Sequence, residues 1–245
     1  GSQAQRSSRA GRVLVLDGDP TNGTVNAALW RGNGQSLTDA SPAVRALALS
    51  HARAGAITGT LDDPATASLA RAAYTLVVYP DDATVAALAA HDVDTILVPY
   101  GASGAQALTF GLDRAGGLEK VGNTNSGIVW RVRPSAIKPS RVRVESSGGI
   151  TTDVGSSQLR VDGNVDASGT LVLAERADSG WRASVDGVAL MPTDPVDGWA
   201  QAFDMPAAGH LTVTYSAWWI IPWRVGAGIC LVVVAASALS VWRKR

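Results

Sequence analysis

Arg12-Val-Leu-Val-Leu16-Asp17-Gly18-Asp19-Pro20 decides how the first half of the chain is read. Four apolar residues follow one another without alternation and stop at a cluster of turn formers. A strand with one wet face alternates; a continuous run reads as a strand buried on both faces, as in a helix-covered parallel sheet. Outward from it, Tyr74-Thr-Leu-Val-Val-Tyr79 and Asp94-Thr-Ile-Leu-Val-Pro99 read as further strands of that kind. Helix starts lie among them. Asp39-Ala-Ser41-Pro42 supplies cap residues for a helix over 43–54, Asp62-Asp63-Pro64 for one over 65–73, and Pro80-Asp81-Asp82 for one over 83–90. Residues 103–114 read as a last helix, stopped by Gly116-Gly117. Leu118-Glu-Lys-Val121 and Gly127-Ile-Val-Trp-Arg-Val132 look like a closing hairpin. The expectation is an α/β domain over residues 12–134, Rossmann-like, with a mostly parallel sheet.

Beyond Pro134-Ser-Ala-Ile-Lys-Pro139 the helix signals vanish. Short alternating segments recur every 8–12 residues, through Val142-Arg-Val-Glu145, Trp181-Arg-Ala-Ser-Val185, Trp199-Ala-Gln-Ala-Phe203 and His210-Leu-Thr-Val-Thr-Tyr215. Asp186-Gly187 is a hairpin turn signal. This regularity predicts an antiparallel β-sandwich over residues 140–215.

Further on, residues 225–242 are free of charge, about 27 Å of helix at 1.5 Å per residue and close to the thickness of a bilayer core. Trp218, Trp219 and Trp223 precede the run and Trp242 closes it, as interfacial aromatics do. A transmembrane helix over 217–242 is predicted. The basic tail Arg243-Lys244-Arg245 favours a cytoplasmic C-terminus, with residues 1–216 extracytoplasmic and the lipid bilayer as a partner. At the other end, residues 1–11 read as a cloning scar, Gly1-Ser2, and a polar linker. No apolar signal segment opens the chain. An outward-facing domain then implies an upstream membrane region of the same polypeptide.

The chain has 21 basic and 21 acidic residues among 245 and a net charge of zero, so no electrostatic footprint for nucleic acid exists. Cys230, the single cysteine, lies in the apolar run, which excludes a disulfide framework and soluble thiol chemistry. His51, His91 and His210 have no metal-ligand spacing, so no metal and no cofactor is assigned. No catalytic residue is assigned either: Ser103 and Ser126 lack a nucleophile-elbow context, and the pairs Asp62-Asp63 and Asp81-Asp82 are explained as helix caps. Gly18-Asp-Pro-Thr-Asn-Gly23-Thr24 has phosphate-loop spacing without the lysine, and reads as a surface turn. Two candidate ligand sites are left. Gly101, Ser103 and Gly104 open a helix after a strand, where exposed N–H groups can hold an anion or simply make a connection. Trp199 can stack on a sugar ring or pack in the core beside Phe203, an even number of residues away.

The stretch from Leu173-Ala-Glu-Arg-Ala-Asp-Ser-Gly180-Trp181 through Trp199-Ala-Gln-Ala-Phe203-Asp-Met-Pro206-Ala-Ala-Gly209-His210 resembles the C-terminal extracytoplasmic β-domain of YfhO-like bacterial membrane proteins. It is more similar still to the tail of actinobacterial polytopic membrane proteins of the family 2 glycosyltransferase type. Ala90-His-Asp-Val-Asp-Thr-Ile-Leu-Val-Pro99 and Gly127-Ile-Val-Trp-Arg-Val132 occur in matching order. The resemblance implies a cytoplasmic transferase domain and many membrane helices upstream, with the aspartate motifs of catalysis outside this chain. The expected function is a non-catalytic extracytoplasmic accessory domain of a membrane glycosyltransferase in cell-envelope polysaccharide or glycolipid assembly. It would contact glycan or envelope proteins. A membrane-anchored scaffold module of the envelope is the alternative.

Overall fold

A computed structural model describes residues 11–30, 46–49, 64–135, 137–146, 151–154 and 161–215, together with Gly226 and Cys230. Its strands are β1 (Arg12–Asp17), β2 (Val25–Trp30), β3 (Ala46–Leu49), β4 (Val93–Pro99), β5 (Leu118–Thr124) and β6 (Gly127–Val132) in the first half. They form one sheet in the order β3-β2-β1-β4-β6-β5. Helices α1 (Pro64–Val78), α2 (Asp82–Ala90) and α3 (Ala105–Asp113) pack on one face of it.

The predicted Rossmann-like, mostly parallel sheet is overturned. Among the described strands of this sheet only β1 and β4 pair in parallel; β1–β2, β2–β3, β4–β6 and β5–β6 are antiparallel. The described chain is dominated by three β-sheets, with three α-helices. None of these helices is long and apolar enough to cross a membrane. Residues 217–242, with the anchor residues Trp218, Trp219, Trp223 and Trp242, and the tail Arg243, Lys244 and Arg245, lie outside the described residues apart from Gly226 and Cys230.

The cause lies after β1. Asp19 accepts hydrogen bonds from Thr21 and Asn22 and caps a single 3-10 turn, and Gly23 leaves it in the left-handed region at φ 70°. That reverses the chain within seven residues, so β2 returns beside β1 as a hairpin where a Rossmann unit would cross over through a helix. The continuous apolar run of β1 was read correctly as doubly buried. Leu14 and Leu16 enter the helix-covered core, while Val13 and Val15 join Leu97 and Val129 on the opposite face.

Two further elements differ. Residues 46–49 form a strand where a helix over 43–54 was expected, and residues 74–78 are the last turns of α1 where a strand was expected. Read from Pro64, α1 places Leu69, Ala70, Ala73, Leu76 and Val77 on one buried stripe, the spacing of an amphipathic helix. The β-branched run at its end is overruled by that packing. α2 starts as expected: Asp81 accepts from the backbone and hydroxyl of Thr84, and those bonds hold its carboxyl below the usual range.

The second half is a β-sandwich. Its strands are β7 (Val142–Glu145), β8 (Thr151–Asp153), β9 (Val161–Val165), β10 (Gly169–Arg176), β11 (Trp181–Val185), β12 (Val188–Ala189), β13 (Met191–Val196), β14 (Ala200–Met205) and β15 (Gly209–Tyr215). One sheet runs β13-β14-β10-β7-β8 and the other β12-β11-β15-β9. Val144, Leu171, Leu173, Phe203 and Met205 of the first sheet interdigitate with Val161, Ala183, Val185, Leu211 and Val213 of the second. Trp181 closes this core, its ring edge-on to Tyr215 at 4.9 Å between centroids.

Candidate functional site: a buried seam between the two domains

Along β7, β10 and the start of β14, the outer face of their sheet is largely buried. Val172 and Ala174 of β10 and Ala200 of β14 pack with Trp199 against Ala90 and Ala65 of the helical layer. The polar side chains gathered here are buried too. Arg12 at the head of β1, Arg141 just before β7, Arg143 within it and Glu175 near the end of β10 are each no more than 7% exposed.

Glu175 is the hub. Its Oε1 accepts from Arg12 Nη2 at 2.7 Å and from Arg141 Nε at 3.0 Å. Arg12 Nη1 donates in addition to the carbonyls of Ala174 at 2.7 Å and His91 at 3.0 Å. One side chain from the first strand of the first domain thus holds the sandwich and the α2–β4 turn together. Arg143 Nε donates to Glu145 Oε1 at 2.7 Å, at the rim of the seam, where Glu145 is a third exposed. Charges this deeply buried are tolerated when paired, and each of the three guanidiniums has a carboxylate partner. Burial lowers the Arg141 pKa, with Glu175 opposing it.

His91 occupies the middle. It ends α2, and its imidazole stacks on the Trp199 indole with centroids 3.8 Å apart and planes 9° from parallel. Its Nε2 lies 3.0 Å from Ser68 Oγ of α1. Burial first, then the Arg12 and Arg143 charges, push its pKa down to about 3. The ring is therefore neutral at ordinary pH, and Ser68 and Trp199 are its partners in that form.

The residues singled out from the sequence fall elsewhere or differently. Trp199 is 3% exposed and fully stacked on His91, so it presents no face to a sugar ring. It does not share a face with Phe203 either: Phe203 lies inside the sandwich, Trp199 outside it. Trp199 precedes β14, beside a register shift in both neighbouring strands and after the left-handed pair Asp197 and Gly198, so strand parity does not extend to it.

Gly101, Ser103 and Gly104 do stand at the start of α3, after β4. The Ser103 N–H is taken by Asp17 Oδ1 at 2.9 Å, a carboxylate from the end of β1. A Cβ on Gly104 would lie 2.2 Å from the Gly18 carbonyl oxygen, so the β1–β2 turn sits directly against this helix start. The chain's own carboxylate fills the place in which an anion was expected. Asp62, Asp63 and His51 lie outside the described residues. His210 sits on the sandwich surface between Asp162, at 2.7 Å, and Asn164, at 3.1 Å. Among the described residues no group of three or more His, Cys, Asp or Glu side chains converges as metal ligands would.

Sequence reasoning passed over Arg12, His91, Arg141, Arg143 and Glu175 as members of one site. A signal was present in β7, where Arg143 and Glu145 alternate with the core residues Val142 and Val144. It reads as a solvated face unless a second domain is known to cover it. No protein-family model matches the chain, and neither a curated protein nor a solved structure is found similar to it.

Proposed function

We propose that this chain is a non-catalytic accessory module of a membrane glycosyltransferase in cell-envelope glycan assembly, acting by holding two domains in one fixed arrangement. The observation that supports this reading is the seam. Its buried arginines, its glutamate and its histidine are directed at each other and at backbone carbonyls, in a geometry suited to rigidity. A catalytic site needs ionisable groups converging on a place that substrate can reach; these groups converge on an interface that water barely reaches.

The β-sandwich and the order of its motifs favour the envelope setting, through the resemblance of residues 173–215 to the β-domains described above. On this reading residues 1–216 face away from the cytoplasm. Single cysteines placed at Ser103 and at Val188, both in exposed turns or edges, should react with a membrane-impermeant maleimide in intact cells. Protection of both until lysis would sink that orientation.

The functional test replaces the native segment with Trp199→Ala in cells and follows incorporation of labelled sugar into envelope glycan. Incorporation should fall severalfold at equal abundance of the protein. Transfer of sugar from a nucleotide sugar to a lipid acceptor by the purified chain alone would overturn the non-catalytic assignment. A scaffold role toward another envelope protein is the second reading. It is favoured by Tyr79 and Phe110, 65% and 63% exposed on the helical layer, beside the close backbone contact of Gly111 with Val77. A photo-crosslinker at Phe110 that captures no envelope protein in cells would count against it.

A further inference from the structure

The seam closes around a histidine that has no place for a second proton. His91 is buried, stacked face to face on Trp199 of the sandwich, with its Nε2 against Ser68 of α1. The charges around it come from both domains. Arg12 of β1 donates to the His91 carbonyl at 3.0 Å, and Arg143 of β7 is the second cation acting on the imidazole. Arg141 stands just before that strand. Glu175 of β10 takes Arg12 and Arg141, Glu145 of β7 takes Arg143, and the charge of Asp92, in the turn after α2, acts on Arg141. Three guanidiniums meet three carboxylates, and a neutral His91 leaves the seam balanced.

A proton on His91 adds a fourth positive charge, buried and near two guanidiniums, with these three carboxylates already committed. Burial first, and then Arg12 and Arg143, oppose it, which holds the pKa near 3 while the seam is closed. Parting the two domains returns the ring to water, where an imidazole takes its proton near 6.5. The sign follows: closure is favoured in full above pH 6.5 and loses ground as pH falls from there toward 3. The clusters under the helices and inside the sandwich are apolar, so mild acid acts on the contact between the domains before it acts on either core.

We propose that His91 is a pH-sensitive latch between the two domains: its protonation releases the β-sandwich from the helical domain while each keeps its own fold, and neutralisation closes the seam again. The latch has its parts on both sides, the imidazole and Arg12 on the helical domain and Trp199 and Arg143 on the sandwich. It rests on the seam's geometry and not on the glycan setting proposed above, and its failure leaves that setting untouched.

Dyes on Ala83→Cys in α2 and Ser179→Cys in the sandwich, both at exposed positions of an intact chain carrying Cys230→Ser, report separation by energy transfer. The ratio of open to closed chains should be constant above pH 7. It should then rise about tenfold for each unit between pH 6 and 4.5, the mark of one proton taken up on opening. Far-UV circular dichroism should hold its neutral form throughout, and a return to pH 7.5 should restore transfer. His91→Phe keeps a ring against Trp199 and cannot take the proton, so it should stay closed over the same range. Energy transfer unchanged down to pH 4.5 would overturn the proposal. So would dichroism lost in step with transfer, which means global unfolding, or His91→Phe opening at the wild-type pH, which assigns the effect to the seam's carboxylates. If His91→Phe does not fold, His91→Gln is read in its place, and the wild-type slope between pH 6 and 4.5 decides by itself.

Discussion

At the scale of single residues, Trp199 and His91 carry the seam's shape and Glu175 its charge. Removing the indole takes away the partner of the imidazole and leaves a void between two domains that cannot collapse independently. Trp199→Ala should cost about 3–5 kcal/mol in denaturant unfolding. An unchanged midpoint would show that the stacked pair seen here contributes no stability. His91 also makes stability depend on pH with a defined sign. Its folded pKa, about 3, lies below the ordinary value of 6.5, so between those values the unfolded chain binds a proton that the folded chain refuses. Its contribution is complete above pH 6.5 and is lost as pH falls from there toward 3, at up to about 1.4 kcal/mol per pH unit. The carboxylates Asp19, Asp81 and Asp113 are held below their ordinary value of 3.8, so a series between pH 4.5 and 7 runs above their range. His91→Phe keeps a ring against Trp199 and should flatten that slope. A variant as pH-sensitive as the wild type would place the effect elsewhere.

Among the elements, the contacts that fix the helical layer are backbone to backbone. A Cβ on Gly111 would lie 2.6 Å from the Val77 carbonyl oxygen, so α3 crosses the end of α1 at a distance only glycine permits. Alanine normally favours a helix interior by about 1 kcal/mol over glycine. Here Gly111→Ala should instead destabilise, by about 1–3 kcal/mol from overpacking, and its unfolding midpoint measured beside the wild type shows which effect wins. This crossing also explains why residues 74–78 were misread. Thr75, Leu76, Val77 and Val78 have strand propensity, but Leu76 and Val77 continue the stripe begun at Leu69. Propensity over six residues is weaker evidence than periodicity over fifteen. The α/β reading failed for a related reason. The continuous run of β1 revealed two-sided burial but nothing about the direction of its neighbours, and the Asn22-Gly23 pair that turns the chain back was read as a turn without being read as a hairpin. In the sandwich, where alternation and turn signals coincide, the strands at 142–145, 181–185 and 209–215 were legible. The seam was not. Burial of Arg143 or Glu175 depends on a surface supplied more than fifty residues away in the chain.

For the molecule as a whole, the seam determines whether two domains behave as two. Separate cores exist, one under the helices and one inside the sandwich, and each has the makings of an independent unit. What joins them is unlike a transient contact. Arg12 bonds to Ala174, Glu175 and His91 together, and Arg141 draws on the same glutamate. Opening the seam in water would strand an ion pair and its apolar surround at once, so partial unfolding of either half exposes the other's buried charges. Calorimetry of the intact chain should therefore show a single transition across both domains, with the calorimetric enthalpy equal to the van't Hoff enthalpy. Glu175→Gln is the variant that separates the cases. It preserves shape but leaves Arg12 and Arg141 without their shared counter-charge, a loss of about 3–5 kcal/mol at the seam and little inside either core. If the seam is the source of cooperativity, the variant should melt in two resolved steps. The tryptophan fluorescence of Trp130, buried under the helices, should then change in a different step from that of Trp181, buried in the sandwich. A wild type that already melts in two steps would mean that the domains are merely adjacent, and the rigid arrangement on which the accessory role rests would have to be given up.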